Sequence, residues 1–248
     1  MEFQRFSSPH LPAEHDINLM MRRVLLALLP GVACMTWLFG WGVLVNLALA
    51  GGSALLAEAG MLGVRGRPVA PTLQDGSALL TGVLLALAIP PLAPWWIAVT
   101  GSAFAIVIAK QLYGGLGYNP FNPAMVGYVV VLVSFPLELT LWPQAWHAPD
   151  LATTLSMVFA GKPPAGMAID AITMATPMDS LRMQIGLGKS LPQLAGNSLF
   201  GYLGGAGWEW LNGCYLLGGL WLLRVRVIQW HIPVAMLGAL ALLAGGFH

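Results

Sequence analysis

The stretch VLLALLPGVACMTWLFGWGVLVNLALAGGSALLAEAGML, Val24 to Leu62, decides the fold. It is apolar almost throughout. One membrane crossing takes about 20 residues, roughly 17–25, so this run is far too long for a single helix. The place to divide it is FGWG, Phe39–Gly42. Division there predicts spans at about Val24–Trp41 and Gly42–Leu62. Composition agrees with a lipid environment: of 248 residues, 57% are hydrophobic and only 8% charged. A soluble domain carries about a quarter charged residues and needs them to cover its surface.

Working outward, further apolar runs follow. A third, about Ser77–Leu92, is short and stopped by PPLAP. A fourth covers about Trp95–Leu112, and a fifth about Pro123–Phe135, extendable to Leu141. A sixth covers about Gly205–Leu223 and a seventh about Ile228–Gly246. The expected fold is therefore all-α and integral to the membrane: a polytopic helical bundle of about seven spans. Residues 1–23 read as a cytoplasmic tail and 24–140 as a first membrane repeat of about five spans. Residues 141–197 read as an extracytoplasmic loop, and 198–248 as the start of a second repeat with about two spans. The polar opening MEFQRFSSPHLPAEHDINLM does not read as a signal peptide.

Charge placement tests this arrangement. With Arg22 and Arg23 in the cytoplasm, Arg5, Arg65, Arg67, Lys110, Arg224 and Arg226 fall on the same side. Lys162, Arg182 and Lys189 fall opposite, all in the one long loop, which is a positive-inside bias. The formal net charge is +1 with no basic block, so nucleic acid is not an expected partner. Cys34 and Cys214 are far apart in sequence and lack a CxxC partner. Neither a metal cage nor a disulfide is expected from them.

The long loop contains DAITMATPMDS, Asp170–Ser180, with the pattern D-x-x-[ST]-x-A-T formed by Asp170, Thr173, Ala175 and Thr176. A threonine hydroxyl needs a base or a metal to become a nucleophile. Ala175 leaves room beside it, and Pro177 directs the backbone away from the preceding helix geometry. Such a loop suits modification by another protein. The same residues also suit a helix N-cap, with Thr176 or Asp179 satisfying the amides of a short helix over about Met178–Ile185.

Other polar positions also have two readings. GGLGYNPFNPA, Gly114–Ala124, can open a helix partway into the membrane, so that Asn119 and Asn122 bind a flavin ring or an ion. The same asparagines can instead cap a helix-entry turn. Asp75 precedes the short third span, and Glu209 lies beside the sixth with Asn212 one turn on. A carboxylate at membrane depth is costly and marks an ion pathway, whereas one at the interface meets water.

Several of these motifs carry a resemblance. SALLTGVLLALAIPP at Ser77–Pro91, GGLGYNPFNPAMVGY at Gly114–Tyr128 and ATPMDSLR at Ala175–Arg182 resemble RnfD, a membrane component of the Rnf complex. The similarity extends from Phe6 to the end of the chain. The sister family is NqrB, from the sodium-pumping NADH:quinone reductase, from which TMAT and the short N-terminal tail differ. The family continues with further spans, whereas this chain stops at His248, so a second repeat is expected to be incomplete here.

The resemblance implies a urea-transporter-like inverted-repeat fold in a bacterial inner membrane, multi-pass. It implies a translocase subunit that relays electrons between ferredoxin and NAD and is coupled to Na⁺ or H⁺ movement. Asp170, Thr173, Ala175 and Thr176 match the flavinylation motif read by Mg-dependent flavin transferases, which link FMN through its phosphate to the last threonine. FMN on Thr176 is then the expected covalent cofactor, and the resemblance also admits a non-covalent riboflavin. The partners implied are the other Rnf subunits, the flavin transferase and membrane lipid. No metal site is expected. A passive urea-transporter-like channel is the rival reading, and it has no need of a flavinylation motif.

Overall fold

The computed structural model describes residues 17–163, 166, 168–169, 172–190, 193 and 205–246. Two helices of 23 residues each open the fold, α1 (Ile17–Phe39) and α2 (Gly42–Val64). At 1.5 Å per residue each is about 35 Å long, enough to cross a hydrocarbon core of about 30 Å. The turn between them falls at the expected FGWG, where Gly40 takes a left-handed φ of 79°. α1 begins at Ile17 rather than Val24, so Arg22 and Arg23 ride on the helix itself.

The remaining apolar runs are also helical but shorter. α3 (Val69–Leu73) is a single turn, followed by α4 (Ser77–Ala88). Beyond α4, Pro90, Pro91 and Pro94 supply no amide hydrogens, so Ile89–Pro94 cannot continue the ladder. α5 runs as α-helix over Trp95–Ala103 and continues as π-helix over Phe104–Gln111. α6 (Pro123–Ser134) does not extend to Leu141; a 3₁₀ turn, Glu138–Thr140, intervenes after the Pro136 break. α7 (Leu151–Leu155, then π-helical Ser156–Ala160) and α8 (Pro177–Gly186) lie in the long loop. α9 (Trp208–Arg224) and α10 (His231–Gly246) complete the described helices. Two-residue strands β1 (Trp142–Pro143) and β2 (Thr173–Met174) pair antiparallel.

α2 is the central helix, packed on α4, α5 and α1, while α1 packs on α9. One core gathers Ala50, Leu85, Ile89, Ile97, Ala98 and Val131. A second gathers Cys34, Met35, Leu38, Phe39, Val43 and Leu211. The α2–α4 seam depends on Gly82: a Cβ there would lie 2.6 Å from the Ala50 carbonyl oxygen. Small residues at such crossings let backbones approach where lipid offers no hydrophobic drive to association. Asn46, fully buried on α2, donates from Nδ2 to the Pro90 carbonyl at 2.8 Å and so ties the proline break to the centre.

Outward faces are apolar as well. Leu56, Val133, Ile232 and Leu242 are each more than three-quarters exposed. Water disfavours so extensive an apolar surface, and lipid does not. The molecule is thus a mostly helical membrane protein.

The two cysteines, distant in sequence, come together at the α1–α9 seam, where Cys214 packs against the core that contains buried Cys34. Both thiols are free. Sequence separation carries no information about this contact, because the packing of the first helix on a late one creates it.

Candidate functional site

The D-x-x-T-x-A-T segment is held in place by a strand. Thr173 pairs with Pro143 and Met174 with Trp142, so β2 is pinned to the chain leaving α6. The Thr173 hydroxyl donates to the Ile169 carbonyl at 3.1 Å and stiffens the approach. Asp170 lies outside the described residues. After β2 the backbone stays extended at Thr176 (φ −61°, ψ 156°), and Pro177 opens α8 with the φ that a first helical position favours.

Thr176 is the N-cap of α8. Its Oγ1 accepts the Asp179 amide hydrogen at 3.2 Å and donates to Asp179 Oδ2 at 2.6 Å. The cap reading of the sequence is therefore realised. It does not exclude modification, because the hydroxyl is only half-buried and two cavities meet at it.

The first cavity, about 390 Å³, is bounded by Trp142, Trp146, Met174, Ala175, Thr176 and Trp208. The second, about 560 Å³, is bounded by Tyr128, Trp142, Thr176, Trp208, Glu209 and Asn212. Both volumes lie in the usual range for small-molecule sites, about 300–1,000 Å³. The walls are aromatic: Trp142 and Trp208 meet edge to face at 5.3 Å, each against Phe39 from α1. Gly207, with φ 86°, lets α9 start hard against the β1 loop, since a Cβ there would meet Ala145 at 2.9 Å. Ala175, Thr176 and Glu209 are thus brought together, with Asn212 beside them as the one-turn spacing predicts. A planar, aromatic group fits this chemistry: flat apolar walls and a reachable hydroxyl.

The other expected residues gather elsewhere. A cavity of about 240 Å³ is lined by Ser77, Thr81, Lys110, Asn119, Asn122 and Pro123, and shares no residue with the first two. Asn122 accepts the Ala124 amide at 2.9 Å and caps α6; Asn119 Nδ2 donates to the Phe121 carbonyl at 2.8 Å. Both asparagines hold the entry turn, as the capping reading expects, and both line the cavity. Asp75 reaches it indirectly, by accepting the Ser77 amide hydrogen at 2.7 Å and the Ser77 hydroxyl hydrogen. α6 joins the two regions, with Pro123 in this cavity and Tyr128 in the aromatic one.

Behind this cavity lies a buried ion pair that charge placement along the sequence does not reveal. Lys110 is 2% exposed, and Glu58 is fully buried. Lys110 Nζ donates to Glu58 Oε1 at 2.6 Å, to Oε2 at 2.7 Å and to Ser77 Oγ at 2.7 Å. Gln111 Nε2 donates to Glu58 Oε1 at 2.8 Å, and Arg65 Nη1 holds Gln111 Oε1 at 3.0 Å. Adjacent residues 110 and 111 both reach Glu58 from the π-helical stretch. The sequence does contain a signal for Glu58: a carboxylate inside the apolar run Ala54–Leu62 requires a buried partner.

Residues 5–248 match the family model described as the NQR2, RnfD, RnfE family. The chain belongs to this family. Relatives agree with the assignment. One from Escherichia fergusonii, named as the D-type subunit of an ion-translocating oxidoreductase complex, is 50% identical over 98% of this chain and 73% of its own length. A Citrobacter koseri protein of the same name is 49% identical over 97% of this chain and 72% of its length. An Escherichia coli counterpart, again so named, is 49% identical over 98% and 73%. Within the NQR2, RnfD, RnfE family, then, this chain is similar throughout its length to proteins named as the D-type component.

Proposed function

We propose that this chain is the D-type membrane subunit of an ion-translocating oxidoreductase complex, and that Thr176 carries FMN through a phosphoester. The observation that carries the flavin assignment is the Thr176 hydroxyl. It ends the D-x-x-T-x-A-T pattern, stays reachable from solvent, and stands where two aromatic-walled cavities meet. FMN supplies one- and two-electron transfer when bound. The chain's own part is positional. β1–β2 pairing fixes the attachment segment, Ala175 leaves space, and Trp142 and Trp208 offer flat apolar walls.

In this reading electrons pass between ferredoxin and NAD with the other complex subunits, and Na⁺ or H⁺ crosses the membrane in step. Glu209 and Asp75 are the pathway carboxylates, and Asn119 and Asn122 frame a place for riboflavin. A flavin transferase installs FMN on the loop outside the membrane, while Arg22, Arg23, Arg65, Arg67, Arg224 and Arg226 stay on the cytoplasmic side of the bacterial inner membrane. A urea-transporter-like inverted repeat is the fold proposed for this arrangement.

The test is flavin fluorescence on a denaturing gel, using chain from cells that contain the transferase, together with the mass of the Asp170–Arg182 peptide. The native chain shows a fluorescent band and the added mass of FMN. Thr176→Val, which keeps the shape and removes the hydroxyl, shows neither. Covalent flavin persisting in Thr176→Val, or none on the native chain, would overturn the assignment and favour a passive channel.

A further inference from the structure

The cap at Thr176 departs from the usual pattern. In a capping box, the third helical residue turns its carboxylate back to the backbone N–H of the cap residue. Asp179 occupies that third position, but its Oδ2 takes the Thr176 hydroxyl hydrogen at 2.6 Å. The distance is that of a charge-assisted O–H···O⁻ bond, about 2.5–2.7 Å. The Asp179 amide meanwhile holds Oγ1 from the other side at 3.2 Å. These two bonds use the hydrogen and one lone pair of Oγ1, leaving its second lone pair for attack. Asp179 is exposed and Thr176 half-buried, so a large second reactant can reach the pair.

Resting on FMN attachment at Thr176, we propose that Asp179 is the catalytic base for that attachment, so that the acceptor protein brings its own proton acceptor. The step balances without any oxidant or reductant. Thr176 Oγ attacks the phosphorus of the FMN half of FAD, and a new O–P bond forms. The P–O bond of the pyrophosphate breaks, and AMP leaves with that electron pair, assisted by the transferase and its divalent cation. The hydroxyl proton passes to Asp179 Oδ2. Once protonated, Asp179 is a hydrogen-bond donor facing the new phosphoester instead of a repelling charge. It then returns its proton to water. An alcohol gains nucleophilic character from such a neighbour, and general-base assistance is worth about 10²–10⁴ in rate.

The experiment uses full-length chain made without transferase, then supplied with transferase, FAD and Mg²⁺. Loading is followed in time by in-gel fluorescence and by the mass of the Asp170–Arg182 peptide. Asp179→Asn keeps the backbone cap and an acceptor of similar shape but cannot take the proton, and loading slows about 100-fold. Thr176→Ser with Asp179 intact still loads. Asp179→Ala loads as slowly as Asp179→Asn, and added formate restores part of its rate, an effect that a purely structural role for the carboxylate would not produce. Native-like loading in Asp179→Asn, or faster loading because a repelling charge is gone, overturns the base assignment and leaves the Thr176 attachment standing. Failure of the native chain to take flavin from active transferase removes the acceptor, and both proposals fall together.

Discussion

Replacing Glu58 by leucine tests whether the buried pair is a true ion pair in a dry interior. The substitution strips Lys110 Nζ of its 2.6 and 2.7 Å bonds and Gln111 Nε2 of its 2.8 Å bond. Lys110 keeps only Ser77, 2.7 Å away, which is itself engaged by Asp75. An uncompensated buried ammonium costs about 3–5 kcal/mol when its partner is removed. Replacing Lys110 as well, by methionine, removes that ammonium and leaves chiefly the Gln111 amide without its acceptor, at about 1–3 kcal/mol. Because the Gln111 cost is common to both, Glu58→Leu/Lys110→Met should be more stable than Glu58→Leu alone by about 3–5 kcal/mol. The assay is unfolding in mixed micelles with rising SDS fraction, followed by far-UV circular dichroism, for the native chain, both single variants and the double. Single variants that each cost less than about 1 kcal/mol, as solvated pairs do, would refute the reasoning. So would a double variant whose cost equals the sum of the two singles.

Glu209→Gln should lower coupled ion movement in the assembled complex while leaving assembly intact; unchanged turnover and ion movement would make Glu209 purely structural. In a background lacking Cys34 and Cys214, cysteines placed at Lys189 and Arg224 should react with an impermeant reagent from opposite sides of the membrane, and labelling of both from one side would overturn the topology. Asp150 caps α7, and the hydrogen bonds from Thr153 hold its carboxyl below the usual carboxylate range. Because the folded value is depressed, the cap's contribution is complete above the unfolded carboxyl's value, about 3.9, and is lost as pH falls through the folded one. Hydrogen-exchange protection of the Thr153 amide should fall with acidification in the native chain but not in Asp150→Asn.

Apolar run length places the helices well because it reports a property of each segment alone. The Phe39–Gly42 break, the proline stop after Ala88 and the Asn122 and Thr176 caps are all visible as local chemistry. What escapes is pairing between segments. That Lys110 is paired does not show in the sequence, because its partner, Glu58, lies 52 residues away on another helix. Cys34 and Cys214 look unrelated for the same reason. α1 starts earlier than its apolar run because Arg22 and Arg23 interrupt the run but not the helix, arginine being a good helix former. Thr176 is legible as a cap, but the hydroxyl-to-carboxylate bond to Asp179 depends on a rotamer that no sequence pattern specifies.

The wide turns of Phe104–Gln111 bear on how this gene can change. A π-helical stretch accommodates a residue that regular α-helical bonding would not, so loss of one codon there would let the turn relax to i→i−4 bonding. About seven α-helical residues turn as far as the eight of this stretch, so everything beyond the deletion would keep nearly its orientation about the helix axis. Lys110 and Gln111 would still face Glu58, and the loop that delivers Asn119 and Asn122 would keep its aim. The same loss inside a regular α-helix such as α2 would swing everything beyond it by about 100°. A frame-preserving deletion of three nucleotides is thus absorbed in this short interval and disruptive in the straight helices around it.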